Sequence, residues 1–370
     1  MVTRRGFLAS AGVTFCSCGL LDAARAQGTG TRVPVSVAGR RVRTVDAHAH
    51  CYFQEALDLM GPAGAAAAMP QTRGVAEHFL DAKGGPDAKG GGIEGRLQAM
   101  DGMGIDMEVL SINPFWYGKD RETAARIVGL NNDRLAQLCA AHPDRFAAFA
   151  CLSLQDPDLA VQQLETAVRK QGLRGAAIGG SVLGQNFSDP RFHPVWAKAE
   201  ELGAVLFIHP QSAPEMAKRF AGNGWLANLI GNPLDITVAL QHLIFEGTLD
   251  RFPGLKVLAA HGGGYLGSYA PRSDHACFVS PQNCNPDIVL KKQPTEYLNQ
   301  LWFDALVFTP EALRHLAAQV GAGQIVLGTD HPIPWELHPV DAVFATTTLS
   351  DEEKVAILGG NAARLFGLSA

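Results

Sequence analysis

Histidines and aspartates stand at the ends of several short apolar runs of this sequence. In the first run, Asp46, His48 and His50 occupy alternate positions, so all three share one face of a β-strand. Two imidazoles on one strand face can converge on a single metal ion. His48 and His50 are therefore candidate metal ligands, and Asp46 is a candidate for supporting them.

Three more polar residues end apolar runs in the same way. His209 follows Ile208, His261 follows an alanine pair, and Asp330 closes the run that begins at Ile325. A single histidine at a strand end is usually a packing residue, but polar residues at the ends of four strands are hard to attribute to chance. Imidazole and carboxylate ligands suit a catalytic zinc ion, whose coordination keeps an open position.

Short apolar or β-branched runs alternate with longer amphipathic stretches along most of the chain. This alternation is the pattern of parallel strands connected by helices. Helices are predicted at residues 121–141, between Asp120 and Pro143, and at residues 190–202, before Gly203. Eight strand-helix units predict a (β/α)₈ barrel, whose active site lies at the carboxyl ends of the strands. The eight predicted strands are residues 41–50, 106–112, 145–153, 175–180, 204–210, 256–262, 301–306 and 325–330.

Two segments interrupt this alternation. Residues 51–92 are rich in alanine and glycine, and we interpret them as a structureless insertion after the first strand that covers the mouth of the barrel. Residues 271–297 follow the sixth strand and are long enough to reach a neighbouring subunit. Within them, Cys277 and Cys284 flank a loop rich in proline and asparagine, where they can either form a short disulfide or remain free.

The composition is that of a globular protein with a large core. Hydrophobic residues make up 47% of the chain and charged residues 18%, so a barrel of this length can bury its interior. The formal net charge of -5 argues against nucleic acid or an anionic membrane surface as the main partner. A small molecule is the expected partner.

Residues 1–26 have the features of a twin-arginine signal peptide. Arg4 and Arg5 precede a modest apolar stretch, and an Ala-Arg-Ala sequence that resembles a cleavage site follows it. The stretch is too short and too rich in glycine and serine for a permanent transmembrane helix. We expect export to the periplasm, a linker at residues 27–40 and a single barrel domain at residues 41–370.

The motifs together resemble those of the amidohydrolase-related decarboxylases, most closely the aminocarboxymuconate-semialdehyde decarboxylase family. The similarity extends over residues 41–368 and implies a metal-dependent lyase on a (β/α)₈ barrel. The matching segments are the Asp-x-His-x-His start, NND at 131–133, FIHP at 207–210, RFPGLKV at 251–257, AHGGG at 260–264, FDALV at 303–307 and LGTDHPIP at 327–334.

The resemblance also implies a ligand set and a metal count. His261 corresponds to an acid/base group beside the metal. In the wider superfamily, a lysine at the end of the fourth strand often bridges two metal ions, but residues 175–180 contain no lysine. We therefore expect one divalent ion, zinc in particular. The residues that correspond to its ligands are His48, His50, His209 and Asp330.

Several residues are candidates for substrate contacts. Phe115 and Trp116 follow the second strand and can form an aromatic wall for a planar substrate. Trp196 matches a tryptophan of the family. Arg272 matches an arginine that a partner subunit supplies to the substrate carboxylate, which implies a homodimer. His331 stands where the family usually has tyrosine, and we include it among the substrate contacts.

The expected reaction is decarboxylation of a small planar aromatic or muconate-like carboxylic acid. The resemblance implies that an electron-rich carbon is protonated before carbon dioxide leaves, with His261 and Asp330 handling protons. The same metal and Asp330 also suffice to hydrolyse an ester, lactone or amide. A metal-loaded binding protein without catalysis is a more remote alternative. The metal residues alone do not choose between lyase and hydrolase.

Overall fold

The computed structural model describes residues 32–68, 80, 92–211 and 214–369. The predicted signal peptide and the first five residues of the predicted linker, 27–31, lie outside these residues. None of the described helices combines the length and the apolar character needed to cross a membrane.

Eight parallel strands form the centre of the structure, preceded by a short antiparallel pair. Nearly all residues of the parallel strands are buried, because such strands are covered on both faces. This explains their continuous apolar runs. The strands are β1 (Ser36–Val37) and β2 (Arg40–Arg41) in the antiparallel pair, then β3 (Val45–His50), β4 (Met107–Ser111), β5 (Phe146–Ala148), β6 (Gly175–Ile178), β7 (Val205–Ile208), β8 (Lys256–Ala259), β9 (Leu301–Asp304) and β10 (Ile325–Val326).

Isolated bridges at two seams close the parallel strands into a barrel. The strands pair in the orders β3-β4-β5 and β6-β7-β8-β9-β10. Ala150 pairs with Ala176 at the seam between β5 and β6, and Asp46 pairs with Leu327 at the seam between β3 and β10. The predicted (β/α)₈ barrel is therefore confirmed. The predicted strands are longer than the observed ones, because the apolar composition continues into buried loops.

Helices surround the barrel; the helix predicted at residues 121–141 is observed there, and the one predicted at residues 190–202 begins three residues later, at His193. The Asp120 side chain caps α3 (Arg121–Ala141) by accepting from Thr123 N, and Gly203 ends α5 (His193–Leu202) in the left-handed conformation. A 3₁₀ turn, Pro190–Phe192, precedes α5. The helices are α1 (Gln54–Ala68), α2 (Gly92–Met103), α3 (Arg121–Ala141), α4 (Pro157–Arg169), α5 (His193–Leu202), α6 (Ala217–Phe220), α7 (Asn232–Phe245), α8 (Thr248–Arg251), α9 (Leu266–Ser273), α10 (Ala276–Val279), α11 (Pro310–Val320), α12 (Pro339–Ala345), α13 (Asp351–Val355) and α14 (Asn361–Phe366).

The expectation of a structureless insertion after β3 is wrong for its first part. Helix α1 occupies Gln54–Ala68 and changes direction at Gly61, whose φ is 73°. Alanine has the highest helix propensity, so an alanine-rich segment forms a helix even when a Gly-Pro pair interrupts it. The rest of the insertion, apart from Leu80 and the start of α2, lies outside the described residues.

The second interrupting segment contains a disulfide. Cys277 on α10 is bonded to Cys284, seven residues further along the chain. The sequence left this pairing open, and the structure decides it. The bridge joins α10 to the 3₁₀ turn Pro281–Asn283, so the segment is a short closed loop on the surface.

Candidate metal centre

The polar residues at the strand ends come together at one end of the barrel. His48 and His50 lie on β3, whose six residues are all buried. His209 follows β7, and Asp330 follows β10. Each residue lies where a parallel strand meets its loop, so side chains that are far apart in sequence become neighbours.

Four donor atoms are close enough to share one ion. His50 Nε2 lies 3.2 Å from His48 Nε2 and 3.1 Å from His209 Nε2. Asp330 Oδ1 lies 2.7 Å from His50 Nε2, 3.2 Å from His48 Nε2 and 3.9 Å from His209 Nε2. Ligands that each bind an ion at about 2.0–2.2 Å are separated from one another by distances of this size.

His261 lies at the edge of this group. Its Nε2 is 3.7 Å from Asp330 Oδ2. Donor atoms of His48, His209, His261 and Asp330 also lie within 4.8 Å of one another, a wider grouping in which His261 takes the place of His50. The shorter distances favour His50 as a ligand. They leave His261, whose side chain is 15% exposed, beside the centre.

Hydrogen bonds at Nδ1, the ring nitrogen that faces away from the centre, orient the imidazoles of His48 and His50. His48 Nδ1 lies 2.6 Å from Asp304 Oδ2, and an ionised carboxylate only accepts, so the ring donates here. His50 Nδ1 lies 2.8 Å from Ser111 Oγ, whose own proton goes to Ala49 O at 3.0 Å. In the neutral form of each ring, the lone pair of Nε2 is then directed to the centre.

The protonation states of this group fit a divalent cation. Burial lowers the pKa of His50 and holds the pKa of His209 well below its usual value, so both rings are neutral at pH 7. Burial acts to raise the pKa of Asp330, but His48 and His261 keep it well below its usual range. Asp330 Oδ1 is buried and faces Nε2 of His48 and of His50. Imidazole lone pairs and the negative charge of Asp330 therefore converge on one point, which is the arrangement that binds a divalent metal ion.

A metal ion and a proton compete at His48. Burial acts to lower the pKa of His48, but Asp330 and Asp304 outweigh it and raise the pKa to about 10 in the protein without metal. Metal binding at His48 Nε2 would require the loss of that proton. The affinity of this site for a metal therefore falls as the pH falls.

Asp304 also fixes the backbone that carries His261. Its Oδ2 accepts from the N–H of His261 and its Oδ1 from the N–H of Gly262, each at 2.8 Å. His261 and Asp330 both have left-handed backbones, with φ of 51° and 64°. Such conformations cost about 1–3 kcal/mol each and persist only where the surroundings enforce them, which is common at functional sites.

Asp46 contacts the backbone of the centre rather than an imidazole. Its Oδ1 accepts from the N–H of His48 at 3.0 Å, and its Oδ2 accepts from the Thr329 hydroxyl at 2.5 Å. Burial, with a further contribution from Glu108, raises its pKa to about 7. Asp46 thus joins β3 to the loop after β10, whereas Asp304 orients the imidazole of His48.

The sequence matches the family model described as amidohydrolase over residues 45–368. The chain belongs to the amidohydrolase family. The match confirms the resemblance that the motifs indicate, and it makes the protein a metal-dependent enzyme of the amidohydrolase superfamily.

Relatives of this amidohydrolase are decarboxylases. The 2-amino-3-carboxymuconate-6-semialdehyde decarboxylase of Dictyostelium discoideum is 34% identical over 276 residues, which cover 74% of this chain and 76% of the relative. The gamma-resorcylate decarboxylase of Rhizobium radiobacter is 32% identical over 287 residues, which cover 74% of this chain and 86% of the relative.

A solved structure shows the same fold with a metal bound. The dihydroxybenzoic acid decarboxylase of a Polaromonas species, with manganese and the inhibitor 2-nitroresorcinol, has a TM-score of 0.74 and 26% identity to this amidohydrolase. The similarity covers 88% of this chain and 97% of that one. Together with the four converging donor atoms, it supports a single divalent metal ion in this centre.

The two tryptophans expected to contact substrate have packing contacts in the structure. Trp116 is fully buried, and its indole N–H donates to Leu152 O at 2.9 Å. Trp196 is 1% exposed, and its indole N–H donates to Phe187 O at 2.8 Å. Both rings are thus held within the core of the amidohydrolase.

The other candidates for substrate contacts lie in three different environments. Phe115 is half-buried in the loop after β4. His331 is buried beside Asp330, with Nδ1 2.7 Å from Glu108 Oε1. Arg272 is exposed on α9.

Sequence reasoning missed Asp304 and Ser111. Asp304 ends the apolar strand β9, so the strand-end rule that identified His209 applied to it as well. Ser111 ends β4 and pairs in register with His50, a contact that depends on the alignment of two strands. No local pattern around Ser111 carries that information.

Proposed function

We propose that this amidohydrolase is a metal-dependent decarboxylase of a small planar aromatic or muconate-like carboxylic acid. The observation that carries the proposal is the convergence of four donor atoms on one point, with His261 beside them. A site that can hold a divalent ion and an adjacent acid/base group are the parts that such a reaction needs. Two relatives of this chain are a 2-amino-3-carboxymuconate-6-semialdehyde decarboxylase and a gamma-resorcylate decarboxylase.

Each residue of the centre has a separate task in this proposal. A bound divalent ion supplies positive charge that holds substrate oxygens and stabilises negative charge on the substrate. His261 delivers a proton to the carbon that bears the carboxylate, after which the carbon–carbon bond breaks and carbon dioxide leaves. Asp330 Oδ2 lies 3.7 Å from His261 Nε2 and orients that ring. The residues that hold the ion are His48, His50, His209 and Asp330.

Zinc is the ion that we propose. Three imidazole nitrogens and one carboxylate oxygen suit zinc, although manganese accepts the same set. Metal analysis of the protein purified without added metal tests this choice. About one zinc per chain supports it, and manganese in its place contradicts it.

A screen for carbon dioxide release tests the reaction. Aromatic and muconate-like acids are offered beside a panel of esters and lactones, before and after metal removal with a chelator. We expect release from at least one acid, its loss on metal removal and its return when zinc or manganese is added. Turnover confined to esters or lactones would establish a hydrolase instead.

We also propose a homodimer in which each subunit supplies Arg272 to the substrate carboxylate of the other. The support is the exposure of Arg272 on α9 and its match to the family. The variants Arg272→Ala and Asp330→Asn are each expected to be nearly inactive. Refolded together in equal amounts, they should recover about a quarter of wild-type activity, because half of the dimers then have one intact site. No recovery on mixing would exclude a contribution across subunits.

A further inference from the structure

A buried ion pair lies beside the metal centre. Arg96 on α2 is 2% exposed and Glu108 on β4 is fully buried. Arg96 Nε donates to Glu108 Oε2 at 2.7 Å. Moving two charges out of water is costly, and apolar residues in the place of such a pair are often as stable or more stable. Stability alone therefore gives little reason for this pair.

The remaining donors of Arg96 reach the backbone at two ligand-bearing segments. Nη1 donates to His50 O at 2.9 Å, and Nη2 donates to His331 O at 3.4 Å. The N–H of His50 donates to the same His331 oxygen at 2.7 Å. Arg96 thus ties the end of β3 to the residue that follows Asp330. These two segments carry the pair of donor atoms that lie closest together, His50 Nε2 and Asp330 Oδ1.

Glu108 completes the connection through its second oxygen. Oε1 lies 2.7 Å from His331 Nδ1, so the ionised carboxylate accepts from that ring while Oε2 accepts from Arg96. Glu108 also pairs with Asp46 in the register of β3 and β4. One carboxylate therefore fixes both the guanidinium and the imidazole next to Asp330.

We infer that Arg96 and Glu108 are positioning residues of the metal centre, which set the spacing of His50 and Asp330 and fix the His331 imidazole. The planar guanidinium suits this task because it presents several donors in fixed directions, whereas a single ammonium cannot span the same acceptors. Groups that orient metal ligands typically contribute a factor of about 10–100 in metal affinity. The inference rests on the metal site of the proposed function and is independent of the substrate.

The test replaces the whole pair, so that no buried charge is left alone. Arg96→Met combined with Glu108→Leu is purified and stripped of metal, and the dissociation constants for Mn²⁺ and Zn²⁺ are measured by competition with a chelator. Thermal unfolding of the metal-free protein is recorded in parallel. We expect the dissociation constants to rise at least about 10-fold, while the metal-free midpoint stays within about 3 °C of wild type.

A matched pair at the opposite end of the barrel serves as the control. Arg145 donates to Asp101 Oδ1 at 2.7 Å and to Asp106 O at 2.9 Å, just before β4 and β5 begin. Arg145→Met combined with Asp101→Leu should leave the dissociation constants within about twofold of wild type. Wild-type metal affinity in the Arg96/Glu108 double variant would overturn the inference. An equal loss of metal affinity in both double variants would also overturn it.

A variant that does not fold and a wild-type protein that binds no metal can each be told apart from a failure of the inference. If the Arg96/Glu108 variant does not fold, Arg96→Lys replaces it, because lysine retains the charge opposite Glu108 but loses the bonds to His50 O and His331 O. A rise in its dissociation constants supports the inference, and unchanged constants overturn it. Wild-type protein that binds neither ion would instead refute the metal site of the proposed function.

Discussion

Single residues next to the metal ligands decide which nitrogen of each imidazole is free to bind an ion. Asp304 accepts from His48 Nδ1, and Ser111 accepts from His50 Nδ1, so in each ring Nε2 is the atom left for the centre. The same Asp304 holds the backbone of His261. One carboxylate thus positions a ligand and the neighbouring acid/base group together.

Asp304→Asn should damage metal binding and turnover together. An amide presents an N–H₂ group where a carboxylate oxygen now accepts, so the four donors that Asp304 serves can no longer all be satisfied. We expect a loss of about 10–100-fold in metal affinity or in kcat. Metal content per chain and steady-state rates measure both. Asp250→Asn is the control, because Asp250 accepts from Lys291 N and the Tyr297 hydroxyl, away from the centre. An equal effect of that variant would contradict the assignment.

The pH dependence of stability should change in Asp235→Asn. Burial raises the pKa of Asp235 from 3.8 to about 6, against the hydrogen bond from Gln211 N. A carboxyl whose folded pKa is raised contributes stability that is fully present below about pH 4 and lost as the pH rises through about 6. The two-unit difference corresponds to about 3 kcal/mol.

Urea unfolding of the metal-free protein at two pH values measures this effect. The asparagine variant should exceed wild type in stability at pH 7.5 by up to about 3 kcal/mol, and the difference should be absent at pH 4. A variant that is less stable than wild type at pH 7.5 would show that the ionised carboxylate stabilises the fold.

At the scale of elements, the turn after β8 depends on three consecutive glycines. All of Gly262, Gly263 and Gly264 have positive φ, between 61° and 76°. A Cβ on Gly264 would lie 2.1 Å from Pro233 O in the first turn of α7. The turn directly follows His261, so α7 packs against the backbone next to this residue. The motif AHGGG is therefore a packing requirement as well as part of a site.

Gly264→Ala should destabilise the protein severely. Alanine in this sparsely populated backbone conformation costs about 1–3 kcal/mol, and the clash with the backbone of α7 adds about 1–3 kcal/mol. Soluble yield and the thermal midpoint measure the effect. Gly323→Ala is the control, because Gly323 does not have positive φ and a Cβ there would meet nothing within 4 Å. Equal midpoints for the two variants would refute the packing argument.

At the scale of the whole molecule, we propose that the protein is exported to the periplasm through the twin-arginine pathway. The support is the order of residues around Arg4 and Arg5, together with the disulfide between Cys277 and Cys284. Disulfides persist in oxidising compartments and are rare in the cytosol. A route that carries folded proteins also suits an enzyme that acquires its metal before export.

Replacement of the arginine pair tests the proposed route. Arg4→Lys combined with Arg5→Lys should leave most of the full-length protein in the cytoplasm, since the pathway recognises the two arginines. Cell fractionation followed by immunodetection measures the distribution. Arg25→Lys, which alters the remaining arginine of the segment, should leave export unchanged. Equal periplasmic fractions for the double variant and wild type would exclude this route.

Local sequence patterns predicted the barrel and identified the residues of the metal centre. Alternation along β3 identified His48 and His50, and apolar runs that end in a polar residue identified His209, His261 and Asp330. These patterns can be detected because strand period and strand ends are properties of short segments. The insertion after β3 was misjudged, because alanine content outweighed the Gly-Pro pair that suggested irregular structure.

The sequence by itself determined the barrel, the chemical types of the ligands and the end of the barrel where they meet. Only the tertiary structure decided which atoms face the metal. Asp304 contacts His48 across 256 positions of sequence, and Arg96 contacts His331 across 235. Such contacts depend on how strands and helices align in three dimensions, and no short segment encodes that alignment. The structure likewise gave Trp116 and Trp196 packing contacts, since residue type alone does not tell a core ring from a pocket wall.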